Sequence, residues 1–213
     1  MKNIILIAPP AAGKGTQATL ISEKYNIPHI SIGDLIRASI SDEDIKDKLR
    51  EGLLLDDDLI CCLLERRISK DDCKDGFILD GFPRNVNQAI NYSYLLKKLN
   101  KVLGLVIVIE MNRDEGVRRM LGRLVCSNCG AGYNETEPSM IPKKQGICDV
   151  CGSILEKRSD DNVETFMKRF DIYNDETEKV IKYYEETHKV HFIESINIET
   201  TFKEIDAIIR KEG

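Results

Sequence analysis

The chain has 213 residues, 42% of them hydrophobic and 31% charged, with a net charge of −5. This size and balance fit one globular core domain with insertions, and the acidic excess argues against a broad electrostatic surface for nucleic acid, so an anionic substrate must be met by a local cluster of arginines. No apolar run nears the roughly 18 residues that span a bilayer, and a strand starts almost at the first residue, so no cleavable signal is expected; a cytoplasmic location is, and its seven cysteines read as thiols or metal ligands.

Lys2 to Ile7 is a short apolar strand of buried type, and Ala8-Pro-Pro-Ala-Ala-Gly-Lys-Gly-Thr16 leads from it into a helical pattern over Lys14 to Lys24. A loop in that place turns unpaired amides and the positive end of a helix dipole toward a polyanion. Lys14 is placed to reach the β- and γ-phosphates of a nucleoside triphosphate, and the Thr16 hydroxyl to lie near the accompanying metal ion. Ala8 stands where the usual pattern begins with glycine, and Ala11 fills another position often held by glycine. Each methyl restricts the backbone, so the turn must be one that a residue with a β-carbon can adopt.

Further strands are predicted at His29 to Ile32, Phe77 to Leu79, Leu105 to Ile109 and Val190 to Ile193. Helices are predicted at Asp56 to Ser69, Val86 to Leu99, Arg113 to Leu121, Asp161 to Glu186 and Thr200 to Lys211. Alternation of this kind gives an α/β fold: a parallel sheet of about five strands, helices on both faces, and active groups at the carboxyl ends of the strands. Residues 34–69 are mostly helical and longer than one crossover needs, which points to a small helical subdomain. Residues 124–157 lose the helical period to glycine, proline and cysteine and form an inserted module.

The third strand ends in Phe77-Ile-Leu-Asp80-Gly81-Phe82-Pro83-Arg84. Asp80 can orient water around Mg²⁺ beside the phosphate loop, Gly81 lets backbone approach a ligand, and Arg84 can grip a phosphate bidentately. Arg118, Arg119 and Arg123 precede the inserted module, while Arg158, Asp160, Asp161 and Arg169 follow it. Basic groups at both ends of an insertion can close over an anion. Taken singly they read as exposed helix arginines, Arg118 above all, with Asp160 and Asp161 complementing a helix dipole after a Ser159 cap. His29, His188 and His191 show no ligand spacing and no nucleophile partner, and read as packing or surface residues.

Within the module, Cys126-Ser-Asn-Cys129 and Cys148-Asp-Val-Cys151 are separated by eighteen residues, and each pair is followed by glycine. Two such knuckles make a tetrahedral thiolate site for Zn²⁺, and four thiolates leave no open position, so the metal is structural. A redox dithiol pair or an iron site is the alternative. Cys61, Cys62 and Cys73 have no ligand spacing and read as small core or half-buried residues.

Taken in order, Gly13-Lys-Gly-Thr-Gln17, Ser31-Ile-Gly-Asp-Leu-Ile-Arg37, Asp80-Gly-Phe-Pro-Arg84, Gly122-Arg123 and Arg158-Ser-Asp-Asp161 with Arg169 closely resemble adenylate kinases of the long-lid, zinc-containing type. The resemblance covers essentially the whole chain. It implies a P-loop NTPase-type sheet with a core over 1–30, 70–123 and 158–213, a helical NMP-binding subdomain over 31–69 and a zinc-ribbon-like lid over 124–157. It also implies a monomer that reversibly transfers the γ-phosphoryl group of ATP to AMP with Mg²⁺, giving two ADP.

On this resemblance ATP would be held by Ala11, Ala12, Gly13, Lys14, Gly15 and Thr16, with Arg119 by the adenine, Arg123 on the phosphates and Tyr133 nearby in the lid. Arg37 and Arg84 would bind the AMP phosphate, and Arg158 and Arg169 would bridge donor and acceptor. Gln88 would read the AMP base in a pocket lined by Ile32, Leu53, Leu54, Leu55, Gly81, Phe82 and Pro83, with the Phe82–Pro83 bond cis. Lys14, Arg84, Arg123, Arg158 and Arg169 would carry the catalytic charge, since phosphoryl transfer needs positioning and neutralisation more than a protein base.

Three positions depart from the resemblance: Ala8, Ile32 in place of a threonine that usually contacts AMP, and Leu124 where many relatives have a second arginine. Asn85 is a feature of pyrimidine monophosphate kinases, while Gln88 and the long lid point back to AMP. Two other classes fit less well. A nucleic-acid-binding ribbon needs a basic, aromatic module, and Cys126 to Cys151 offers only Lys143, Lys144 and Tyr133. A regulatory GTPase needs an aspartate after Asn100-Lys101, where Val102 and Leu103 stand.

Overall fold

In the computed structural model, residues 3–39 and 57–212 are described, residues 37–39 by backbone alone. The strands are β1 (Asn3–Ile7), β2 (His29–Ser31), β3 (Ile78–Asp80), β4 (Leu103–Glu110), β5 (Arg123–Cys126), β6 (Gly132–Asn134), β7 (Leu155–Glu156) and β8 (Val190–Glu194). The helices are α1 (Lys14–Tyr25), α2 (Ile32–Ser39), α3 (Asp57–Ile68), α4 (Val86–Lys98), α5 (Arg113–Gly122), α6 (Val163–Ile172), α7 (Glu178–Thr187) and α8 (Ile198–Glu212). Leu53 to Leu55 and much of the helical stretch predicted over residues 31–69 lie outside the described residues.

The main sheet has five strands in the order β2-β3-β1-β4-β8, all of them parallel. Its strands read as continuous apolar runs because both faces are covered. Side chains alternate along β1, so Ile5 and Ile7 enter a core shared with Leu64 of α3, Tyr92 of α4 and Tyr184 of α7. Ile4 and Leu6 enter the opposite core, against Ile21 of α1 and Ile205 and Ile209 of α8. Register aligns the carboxyl ends: Leu6 and Ser31 lie opposite Asp80, and Glu110 lies opposite Glu194.

Two predicted elements differ. Ile32 opens α2 instead of closing β2. The single helix predicted from Asp161 starts later and divides: Asn162 is the cap, its side chain accepting the Thr165 N–H at 2.8 Å, and a π-helical turn over Tyr173–Thr177 separates α6 from α7. That wider turn carries Thr177 to the loop after β3, where its hydroxyl donates to the Arg84 carbonyl at 3.3 Å. Residues 123–156 contain a separate antiparallel sheet in the order β6-β5-β7. Among the described residues no helix is long and apolar enough to cross a membrane.

Candidate active site

β1 ends in a loop with two left-handed residues, Ala11 at φ 64° and Gly13 at φ 80°, before α1 begins at Lys14. Asn26 and Asn100 are the other non-glycine residues with positive φ among those described, so Ala8 is not one of them. Ala8 and Ala12 are buried in the same core cluster as Ala18 and Ile21. The back of the loop is tied down: Ser195, just past β8, donates to the Ala12 carbonyl at 3.0 Å and accepts from Arg119 Nη1 at 2.6 Å.

Asp80 closes β3 directly beside this loop. Lys14 Nζ lies 3.4 Å from Asp80 Oδ1 and His29 Nε2 lies 3.1 Å from Oδ2. Burial pushes the Asp80 carboxyl up, but the Lys14 charge and the His29 hydrogen bond outweigh it and hold it below the usual carboxylate range. An ionised carboxylate beside a phosphate loop fits Mg²⁺ held through water. His29, expected to be a packing or surface residue, is therefore part of this group. Its signal in the sequence was slight: a polar side chain on the strand that pairs with the strand carrying the acid.

The Phe82–Pro83 bond is cis. Both residues are buried, Phe82 edge-on to Tyr92 at 5.8 Å. The exposed Arg84 donates from Nε to the Gly81 carbonyl at 3.0 Å. Gln88 is fully buried, and its amide orientation is fixed from two sides: Oε1 accepts the Arg84 N–H at 2.7 Å and Nε2 donates to Asp57 Oδ1 at 2.7 Å. Asn85 caps α4 by accepting the Gln88 N–H and also donates to Asp57 at 3.2 Å. Asp57 is thus a residue of this group that sequence reasoning missed. Ile32 is buried in the same apolar core as Phe82. Arg37 belongs to α2 by its backbone; its side chain lies outside the description.

The arginines flanking the cysteine module converge on acids. Arg123 pairs in two places with Asp161, and Arg169 donates to Asp160 at 2.7 Å. Burial pushes the Asp160 carboxyl up, yet Arg169 and then Arg123 bring it below its ordinary range. Asp160 and Asp161 are therefore arginine partners; Asn162 caps α6, and Glu164 is the acid of its first turn. Arg158 is exposed, and its carbonyl accepts the Asp161 N–H at 3.1 Å.

The base of the module is clamped to α5. Arg118, read from sequence as an ordinary exposed arginine, grips Glu115 with two nitrogens, the Thr136 carbonyl at 2.8 Å, and Glu137. The Arg118 guanidinium, against partial burial and with Arg119, holds the Glu115 carboxyl down at about 2. Arg119 spends four of its five N–H donors on Glu115, Ser195 and the Ile196 carbonyl. Gly122 is required by close approach: a β-carbon there would lie 2.4 Å from Asn134 Oδ1.

The sulfurs of Cys126, Cys129, Cys148 and Cys151 all lie within 4.8 Å of one another. Cys126 and Cys151 are 3.4 Å apart and Cys129 and Cys148 3.5 Å, close to the roughly 3.8 Å that tetrahedral Zn–S bonds of about 2.3 Å require. Gly130 and Gly152 turn the knuckles, each at φ 74°. The donor chemistry calls for a cation. Ser153 and Asn128 draw the Cys151 thiol down to about 5, and the Tyr133 hydroxyl draws Cys148 down against burial. Cys129, although the Ala131 N–H favours its thiolate, is pushed up to about 12 by burial and the neighbouring sulfurs. A divalent ion would relieve that repulsion and bring all four to the thiolate form.

Tyr133, expected beside a nucleotide, is buried inside the module, its hydroxyl against Cys148 and Asp149.

The adenylate kinase family pattern matches residues 6–189 of the chain. The adenylate kinase of Clostridioides difficile (strain 630) is 48% identical over 187 residues, 85% of this chain and 85% of its own. That of Thermosipho africanus (strain TCF52B) is 40% identical over 215 residues, 98% of this chain and 100% of its own. That of Acetivibrio thermocellus (strain ATCC 27405) is 42% identical over 213 residues, with 96% and 97% covered.

Proposed function

The chain belongs to the adenylate kinase family of phosphotransferases, and from that premise we propose that it reversibly transfers the γ-phosphoryl group of ATP to AMP, giving two ADP, with Mg²⁺. The observation that carries the reading is the pairing of Lys14 with Asp80 beside a left-handed loop at a helix N-terminus, together with arginines from separate elements drawn to Asp160 and Asp161.

In this reading the amides of Ala11 to Thr16 and the Lys14 ammonium hold the ATP phosphates. When bound, Mg²⁺ would supply neutralisation of phosphate charge; Asp80, through water, and the Thr16 hydroxyl are the groups that would hold it. Arg119, its Nε and Nη2 donors held by Glu115 and the Ser195–Ile196 backbone, keeps its flat face for the ATP adenine. Arg37 and Arg84 bind the AMP phosphate, and Gln88 reads the base, held by Asp57 within a pocket that includes Ile32, Leu53 to Leu55, Gly81, Phe82 and Pro83. The missing hydroxyl at Ile32 weakens AMP binding by about 1 kcal/mol if one hydrogen bond is lost.

Arg123 and Arg169 exchange the carboxylates of Asp161 and Asp160 for phosphate oxygens, and Arg158 joins them, so that positive charge gathers on the transferring group. Water competes with AMP for the γ-phosphoryl group. Residues 124–157 therefore act as a lid and residues 31–69 as the AMP-side cover, closing on a core of 1–30, 70–123 and 158–213.

A coupled assay tests the reading. ATP with AMP and Mg²⁺ should yield ADP rapidly, while ATP alone is consumed far more slowly. ATP turnover that does not depend on AMP would overturn it.

A further inference from the structure

We infer that Tyr133 is a positioning residue of the cysteine cluster, its phenol donating a hydrogen bond to the Cys148 sulfur. The inference rests on the reading that the four cysteines hold a divalent ion.

The argument is one of proton counting. Tyr133 is the middle residue of β6 and only 8% exposed. Its oxygen stands 2.7 Å from the Asp149 backbone nitrogen and 3.5 Å from Cys148 Sγ. The Asp149 N–H can only donate, so that contact takes a lone pair of the phenol and leaves its single proton for another acceptor. The sulfur at 3.5 Å is the acceptor in reach, and as a metal ligand it is a thiolate with no proton of its own to offer. The direction of the bond is thereby fixed: Asp149 N–H to Tyr133 Oη, and Tyr133 O–H to Cys148 Sγ. Each bond polarises the next, strengthening the donation to sulfur.

This places the side chain where a second ligand shell does its work. It holds one thiolate in orientation and draws charge from it. It also joins two parts of the module that are distant in sequence. Tyr133 pairs with Leu124 of β5, and the adjacent pair in the ladder is Arg123 with Asn134. The knuckle of Cys148 and Cys151 is therefore bonded to the hairpin that presents Arg123.

Tyr133→Phe in the full-length chain is the test, since phenylalanine keeps the ring and its packing among Leu124 and Leu155. Zinc affinity is measured by competition with a chromophoric chelator, and the cluster is also loaded with Co²⁺ to follow its thiolate-to-metal charge-transfer band. Affinity for zinc should fall about 10- to 100-fold, and the band should move to lower energy, because a sulfur that loses a hydrogen bond gives up an electron more easily. A purely structural loss would not shift the band. Wild-type affinity and an unmoved band in the variant, or a loss of ATP affinity alone, would overturn the inference while leaving the metal site intact. A wild-type chain that takes up neither metal would bring down the inference and the reading beneath it.

Discussion

The main sheet and the cysteine module are ordered by different means. Every residue of β1 is buried, and its neighbours feed two opposite cores with helices on both faces. In the module the buried hydrophobic cluster is Leu124, Cys126, Tyr133, Cys148 and Leu155, and two of those five are cysteines. Ordering a residue costs roughly 1–2 kcal/mol of backbone entropy, while fully burying a large apolar side chain returns about 1.5–3 kcal/mol. The sheet can meet that demand from its own side chains. The module cannot, and its cysteine geometry indicates where the remainder comes from.

With the four cysteines read as a zinc site, chelation is the strongest way to break the comparison, since structural zinc contributes about 10–16 kcal/mol in isolated zinc peptides. Chelation should strip hydrogen-exchange protection from the amides of β5 to β7 while those of β1 and β4 stay protected. Equal loss in both sheets would mean that the two are not independent. The converse disturbance is Ile5→Ala, which opens a cavity in the core under β1 and should cost about 2–5 kcal/mol in urea unfolding. That cost should be the same with and without chelator; a cost that changed would couple the two regions.

Function sharpens the same division. Arg84 is carried by the loop after β3 of the main sheet, and Arg123 opens β5 of the module. Arg84→Ala should weaken AMP by about 1.5–3 kcal/mol, roughly ten- to a hundredfold, and leave ATP affinity in place. Calorimetry with each nucleotide decides it, and an equal loss of both would refute the assignment of Arg84 to the AMP side.

What the sequence disclosed follows the range of the interactions involved. The loop from Ala8 to Thr16, the parallel sheet and the cysteine knuckles are short-range patterns: a buried strand, a turn and a helix start, or two pairs of ligands. The partners of Asp57 and His29 were not legible, because each is met across the fold, at Gln88 and Asp80; for Arg118 the partner three residues away, Glu115, lies within reach of helical spacing, while Glu137 in the module does not. The place of Tyr133 near a nucleotide was assigned by likeness alone, and its hydroxyl contact with Cys148, fifteen residues on, left no signal in the sequence. The π-helical turn at Tyr173–Thr177 was not read from the sequence, since an extra residue shifts the phase of the apolar stripe but leaves helical spacing intact on either side.

The two alanines of the phosphate loop give the smallest and most local test, because they look equivalent in sequence and are not in structure. Ala11 is left-handed at φ 64°, a conformation that costs a residue with a β-carbon about 1–2 kcal/mol. Ala11→Gly relieves that strain, but frees the unfolded chain by about 0.4–1 kcal/mol and gives up part of a methyl contact worth at most about 0.8 kcal/mol. The terms nearly cancel, and stability should change by less than about 1 kcal/mol. Ala8 has no left-handed strain to relieve, and it is 8% exposed within the core beneath α1. Ala8→Gly therefore incurs both losses with nothing in return, about 1–2 kcal/mol, and should lower the melting temperature by about 2–8 °C for a chain of this size. Thermal melts of the two variants side by side should put Ala8→Gly clearly below Ala11→Gly; the reverse order would mean that the loop does not hold Ala11 in the left-handed region in solution.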